Sequence, residues 1–226
     1  MVPQTGSSHA ARVLGLTGGI ATGKSTVSAI LSDRAAIVDA DRLAREVVEP
    51  GQEAWREIVE LFGREALRED DTLDRAYLRG IVFKDPDSRK RLEAITHPRI
   101  RALARRRIVE RSRDAEFVIY DAPLLFEARI HHWLRPVILV ACARDTQARR
   151  LRRRDGLDDA GIERHLKAQM SLAEKRRLAD FVIENDGTLA DLKNTVARVW
   201  EDVEATSPAR YIFLQTDPPE SGHRSE

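Results

Sequence analysis

Apolar residues along this chain gather in short continuous runs rather than in alternation. Such runs occupy residues 13–17, 35–39, 117–121 and 137–143, with a shorter one at 181–183. An alternating strand buries one face only, whereas a continuous run marks a strand covered on both faces, as in a parallel sheet between helical layers. Helical spacing fills the intervals. The order therefore predicts βαβ units and an α/β fold with a doubly wound parallel sheet of about five strands. The interval between the second and third runs holds more chain than a crossover needs. Helical patterns extend there from Leu43 to Arg113, broken at Pro50-Gly51 and Asp85-Pro86, which predicts a helical insertion. Within it, residues 99–113 interleave Ile100, Leu103, Ala104 and Ile108 with basic side chains and read as an amphipathic helix.

Later in the chain, Asp158-Asp159 offers N-caps for a helix reaching Met170, with Ile162, Leu166, Gln169 and Met170 on one side. Thr188-Leu189-Ala190-Asp191 has the form of a capping box, with Asp in place of Glu, opening a last helix to about Glu204. From Ser207 onward Pro, Ser, Gly, Asp and His dominate around Tyr211-Ile212-Phe213-Leu214. That composition predicts a mobile tail with one docked segment.

Between the first strand and the first helix stands Gly18-Gly19-Ile20-Ala21-Thr22-Gly23-Lys24-Ser25, a match to G-x-x-x-x-G-K-[ST]. Glycines let the backbone turn tightly, so that successive N–H groups point at one anion, and the helix N-terminus adds partial positive charge. In this pattern Lys24 reaches the β- and γ-phosphates and the Ser25 hydroxyl ligates Mg²⁺. The motif predicts a nucleoside triphosphate site formed by Gly19, Ile20, Ala21, Thr22, Gly23, Lys24, Ser25 and Thr26.

Composition narrows the classes. Of 226 residues, 42% are hydrophobic and 33% charged, as in a soluble globular protein. Lys and Arg total 38 against 37 for Asp and Glu, so a net charge of +1 gives no global attraction to nucleic acid. The longest apolar run, 137–143, is far short of the ~20 residues that span a bilayer, and residues 1–12 lack a secretory apolar stretch. A single cysteine, Cys142, lies in a strand run as core and suits a reducing cytoplasm.

A phosphate loop alone serves GTPases, motors and small-molecule kinases. The guanine motif N-K-x-D is missing: the fifth strand ends in Glu184-Asn185-Asp186-Gly187, and a large motor needs a longer chain. Two features favour a kinase. At the carboxyl end of the second strand, Val38-Asp39-Ala40-Asp41 places carboxylates where open α/β sheets hold their ligands. A carboxylate there can orient and accept the proton of an attacking hydroxyl, while the alternative use of Asp41 is to cap the next helix. The second feature is Arg149-Arg150-Leu151-Arg152-Arg153-Arg154, in which Arg150 and Arg154 share one helix face. Arginines so placed can clamp a triphosphate as a lid; a solvated face or a nucleic-acid patch is the alternative, the latter disfavoured by an aromatic content of 5%.

Several segments together resemble the dephospho-coenzyme A kinase family. They are Leu16-Thr17-Gly18-Gly19-Ile20, Asp39-Ala40-Asp41 with Leu43-Ala44-Arg45, Val48-Glu49-Pro50-Gly51, Thr96-His97-Pro98-Arg99-Ile100 and Asp121-Ala122-Pro123-Leu124-Leu125-Phe126-Glu127. The arginines to Asp155, Gln169, and residues 179–187 complete the match. The resemblance implies transfer of the ATP γ-phosphoryl to the 3′-hydroxyl of dephospho-CoA with Mg²⁺, the last step of coenzyme A synthesis. It implies a phosphate-loop core (12–45, 115–145 and 180–205), a CoA-binding helical insertion (46–114) and a helical lid (146–179), with flexible termini at 1–11 and 207–226. By the same resemblance Asp41 is the base, acting with Lys24 and Arg150, while Arg150, Arg154 and Asn185 join the ATP site. Arg45, His97, Pro98, Leu124 and Glu127 then bind the acceptor. Asp121 resembles a carboxylate that holds Mg²⁺ through water. Where the family usually has Gly, this chain has Ala21, which a negative φ would accommodate. The reading calls for no nucleic-acid or membrane partner and places the protein in the cytoplasm. Another phosphate-loop kinase of a nucleoside or small alcohol is the alternative activity.

Overall fold

Each continuous apolar run becomes a strand. In the computed structural model, which describes residues 11–214, β1 is Arg12–Gly18, α1 Lys24–Leu31 and β2 Ala36–Asp39. Helices α2 (Ala40–Glu46), α3 (Glu53–Phe62), α4 (Arg75–Lys84) and α5 (Pro86–Arg111) follow. The chain then forms β3 (Phe117–Asp121), β4 (Leu134–Arg135), β5 (Val137–Ala141), α6 (Arg144–Asp155), α7 (Asp159–Lys167) and α8 (Leu172–Leu178). It closes with β6 (Phe181–Glu184), α9 (Leu189–Ala205) and β7 (Ile212–Phe213). Two units result: Asp39–Val109, and the described parts of Met1–Val38 with Glu110–Glu226. The helical unit thus begins and ends earlier than the 46–114 expected from the sequence.

In the first unit the sheet order is β2-β3-β1-β5-β6, with β1 parallel to both β3 and β5, and β5 parallel to β6. β1 is the point where the order reverses, so the loop leaving it opens into the crevice where open α/β sheets hold ligands. Leu14, Leu16, Ile119 and Ile138 pack on Val27 and Leu31 of α1 and on Val196 and Trp200 of α9. Trp200 meets Phe117 edge-on, ring centres 4.9 Å apart, an arrangement that adds to the area the indole buries. The capping box expected at Thr188 and Asp191 forms both reciprocal bonds, and Ser171 with Glu174 forms a second at α8.

In the helical unit, Ile58, Ala66, Leu73 and Leu78 form the core, flanked by Trp55, Phe62, Leu92 and Ile95. Arg99 ties α5 to α3 through Glu53 (3.2 Å) and Glu57 (2.7 Å). The amphipathic segment read at 99–113 is the second half of one 26-residue helix that runs through Pro98. Proline withholds one helical N–H, and side chains tie down carbonyls beside it: Thr96 Oγ1 donates to Leu92 O (2.8 Å) and Arg99 Nη1 to Ile95 O (2.8 Å).

Three expectations change. α7 stops at Lys167, so Gln169 and Met170 lie in the connection to α8, because Ser171 is extended and caps a new helix. Part of the C-terminal stretch expected to be flexible is ordered: β7 pairs antiparallel with β4, and Tyr211 Oη donates to Val203 O at 2.6 Å. These residues include the docked segment at 211–214, preceded by a 3₁₀ turn at Pro208–Arg210, while residues 215–226 and 1–10 of the termini expected to be flexible lie outside the described residues. Finally, Ala21 has φ 59°, in the left-handed region, not the negative φ that would make its Cβ easy to accept. The loop bends back here to present its carbonyls outward, and a Cβ in that conformation strains the backbone by about 1 kcal/mol. Ala21→Gly is therefore expected to raise Tm by no more than about 2 °C in a calorimetric scan, since relief of the strain slightly outweighs the added freedom of the unfolded chain.

Candidate active site

A loop that points its N–H groups inward turns its carbonyls outward, and those carbonyls need donors. Side chains from two other segments supply them. Arg150 Nη1 donates to Ala21 O and Thr22 O, both at 3.2 Å, and its Nη2 to Asn185 O at 2.9 Å. Asn185 Nδ2 donates to Thr22 O at 2.7 Å, and Gln147 Nε2 to Ile20 O at 2.7 Å. Gln169 Oε1 accepts from Ile20 N at 2.9 Å, while the Thr22 hydroxyl donates to Gly19 O at 2.9 Å. Gly23, the N-cap of α1, has φ 92°, and a Cβ there would run into the Asn185 amide, so this position requires glycine.

At the head of α1, Lys24 Nζ lies 2.5 Å from Asp121 Oδ1. Asp121 ends β3 and is 4% exposed, so its charge depends on the ammonium and its other neighbours for compensation. Ser25 and Thr26 are exposed on the first turn of the same helix. On the far side of the loop Asp186 accepts twice from Ala143 N, at 2.9 and 3.1 Å. Burial pushes the Asp186 carboxyl up, but hydrogen bonds from Thr146 and Ala143, with the charges of Arg150 and Arg149, hold it below the usual carboxylate range. Cys142 is buried, and burial raises its thiol to about 11, so it is protonated at neutral pH and stays a core residue.

After β3 the chain forms a second polar cluster. Pro123 O accepts from Thr17 Oγ1 (3.1 Å) and from Lys175 Nζ (3.1 Å), and Lys175 lies 2.9 Å from Glu127 Oε1. Leu125 and Phe126 are buried, which leaves Leu124 turned outward and 47% exposed.

The structure thus brings together Lys24, Asp121, Arg150 and Asn185 around residues 19–26. It does not bring Arg154 there. Arg154 makes a two-bond pair with Asp155, 2.8 Å in each bond, on an exposed face, because the carboxylate next to it in sequence satisfies the guanidinium locally. Glu127 is committed to Lys175 and to Met170 N, which donates to it at 3.0 Å. In the helical unit the carboxylate that caps α2 belongs to Asp39, accepting from Asp41 N (2.8 Å) and Arg42 N (3.1 Å). Asp41 is exposed in the first turn, and Arg45 in the last turn of α2 and His97 and Pro98 within α5 are exposed as well.

Sequence reasoning missed the roles of Gln147 and Lys175. Gln147 lies at the end of the first turn of α6, where neutral polar residues commonly face solvent. Lys175 stands among Glu174, Arg176 and Arg177, and composition does not distinguish the one buried member of a charged helix. The Ser171 and Glu174 capping pair was a readable signal for the helix that carries it.

Comparison with known proteins identifies the family. The dephospho-CoA kinase family model matches residues 12–191. A dephospho-CoA kinase of Anaeromyxobacter dehalogenans is 47% identical over 194 residues, covering 85% of this chain and 92% of the relative. One from Geobacter metallireducens is 48% identical over 192 residues, covering 84% and 96%. Among solved structures, a Thermus thermophilus protein superposes with TM-score 0.75 at 36% identity, covering 88% of this chain and 100% of the other. The dephospho-CoA kinase of Campylobacter jejuni gives TM-score 0.63 at 28% identity over 85% of this chain and 97% of the other. The match spans the phosphate loop, the helical unit and the arginine-bearing helices together, and the chain belongs to the dephospho-CoA kinase family, as a kinase of the phosphate-loop α/β fold.

Proposed function

We propose that this protein transfers the γ-phosphoryl group of ATP to the 3′-hydroxyl of dephospho-CoA, giving CoA and ADP. The observation that carries the reading is the family match over residues 12–191, which includes every residue assigned a role below. ATP binds with its phosphates against the loop at residues 19–26, whose Ile20 N–H is held by Gln169 and so is not among the amides that meet phosphate, and Lys24 exchanges its bond to Asp121 for phosphate oxygens. Arg150, anchored beside the loop, compensates the charge that spreads over the transferring phosphoryl oxygens. Asp41 accepts the proton of the attacking hydroxyl. Arg45, His97, Pro98 and the outward-turned Leu124 belong to the acceptor side.

An oxygen donor set suits Mg²⁺: the exposed Ser25 hydroxyl and the Asp121 carboxylate, the latter through water, would hold the ion beside the phosphates. When bound, Mg²⁺ neutralises charge on the β- and γ-phosphates. The protein works in the cytoplasm without a nucleic-acid partner. In support, four of the run's five arginines, Arg149, Arg150, Arg152 and Arg154, have an intramolecular acceptor, which leaves little of the run as a free basic surface. Among the described residues no helix is long and apolar enough to cross a membrane. A coupled assay of ADP release tests the activity: dephospho-CoA should elicit turnover, and nucleosides or small alcohols should not.

Asp41→Asn is expected to lower kcat by roughly 10²- to 10⁴-fold with ATP affinity kept. Asp39→Asn should be far milder, because Asn caps a helix as well as Asp does. Steady-state kinetics of the two variants check this, and a larger loss at Asp39 would reverse the assignment.

Arg150→Lys keeps the charge but loses the planar fork that reaches several oxygens at once. We expect kcat to fall about 10²-fold or more, with the ATP dissociation constant rising less than about tenfold, because the contact strengthens in the transition state. Equal losses in kcat and affinity would leave Arg150 only the task of bracing the loop.

A further inference from the structure

Lys175 is fully buried, at 0% exposure, on a helix whose neighbouring charges Glu174, Arg176 and Arg177 face solvent. Lysine rarely reaches such a position unless it is paired. Its Nζ joins Glu127 Oε1 (2.9 Å) to Pro123 O (3.1 Å), and Pro123 O also accepts from Thr17 at the end of β1. Glu127 Oε1 in turn accepts Met170 N at 3.0 Å, while Glu127 Oε2 is buried without a hydrogen bond. One ammonium therefore ties together the end of β1, the segment after β3 and the connection between α7 and α8. The residue before Met170 is Gln169, whose Oε1 holds Ile20 N, while Gln147 holds Ile20 O. Both backbone polar groups of Ile20 are fixed by side chains, and one of those side chains is placed by the buried pair.

A buried ion pair is poor evidence for stability, since two apolar side chains of like volume commonly serve as well or better. Directed hydrogen bonds do what apolar packing cannot: they set the position of a connection to a fraction of an ångström. We propose that Lys175 and Glu127 are positioning residues of the kinase, which seat Gln169 against Ile20 and so hold the shoulder of the phosphate loop. Glu127 on this account acts through Met170 and Gln169 rather than by touching the acceptor. The inference rests on the loop being the ATP site of the proposed reaction.

The test compares wild type with four variants: Glu127→Met with Lys175→Met together, Gln169→Leu, Gln169→Glu, and the triple combination of Glu127→Met, Lys175→Met and Gln169→Leu. Melting temperature and the kinetic constants for both substrates are measured. The Met pair leaves no unpaired buried charge and is expected to melt at or above the wild-type temperature. Its kcat/KM for ATP should nevertheless fall by roughly 10- to 10²-fold, the penalty of a misplaced reacting group, with the KM for dephospho-CoA unchanged. Gln169→Leu should show the same loss, Gln169→Glu should recover most of it by restoring the acceptor oxygen, and the triple variant should lose no more than either. A well-folded Met pair with wild-type kcat/KM for ATP overturns the proposal, as does a rise confined to the KM for dephospho-CoA. If the Met pair does not fold, Gln169→Leu decides alone, and wild-type constants there overturn it. Wild-type protein that leaves dephospho-CoA unphosphorylated would instead sink the proposed function.

Discussion

The structure turns on one constraint of backbone chemistry. A loop can aim its amides at an anion only by facing its carbonyls the other way, and each of those must find a donor in the protein. Here Ile20, Ala21 and Thr22 present their carbonyls to Gln147, Arg150 and Asn185. Two of these donors stand on α6 and one follows β6, so the loop keeps its shape only while the arginine-bearing helix and the far edge of the sheet are in place. The strain at Ala21 and the left-handed Gly23 belong to the same turn.

Charge enters this apolar framework at few points, and each is paired. β1, β3 and β5 are buried along nearly their whole length, and Asp121 is the carboxylate at the end of β3. Lys24 compensates it, which means that the lysine expected to meet phosphate also has a structural partner. Removing the ammonium would leave a buried carboxylate short of its counter-charge, so a neutral substitution at Lys24 affects stability as well as binding. The Lys175 and Glu127 pair repeats the pattern one segment later.

Much of this was legible in the sequence because it depends on local signals. Five apolar runs gave five sheet strands, and Thr188 with Asp191 gave a cap that forms as read. The motifs gave the family, because the D-A-D, H-P-x-I and P-L-L-F-E pieces occur together in this order. What stayed hidden depends on long-range pairing. Arg150 meets a loop 129 residues away in sequence while Arg154 turns to the adjacent Asp155, a division that helix periodicity, which places both on one face, does not report. Which of Asp39 and Asp41 caps α2 depends on where the helix starts, within the margin of any boundary read from sequence. The burial of Lys175 depends on Glu127, 48 residues earlier in the numbering, and no local pattern reports it.

We propose that Lys24 serves the phosphates of ATP in transfer to dephospho-CoA, with its bond to Asp121 as the resting arrangement. The most direct measurement is the rate of dephospho-CoA phosphorylation by Lys24→Arg at saturating ATP, beside wild type. Arginine keeps a cation for Asp121 and so preserves the fold, but it cannot place a compact point charge between phosphates. The variant is expected to melt like wild type and to turn over about 10²-fold slower or worse. Wild-type turnover by the folded variant would contradict it.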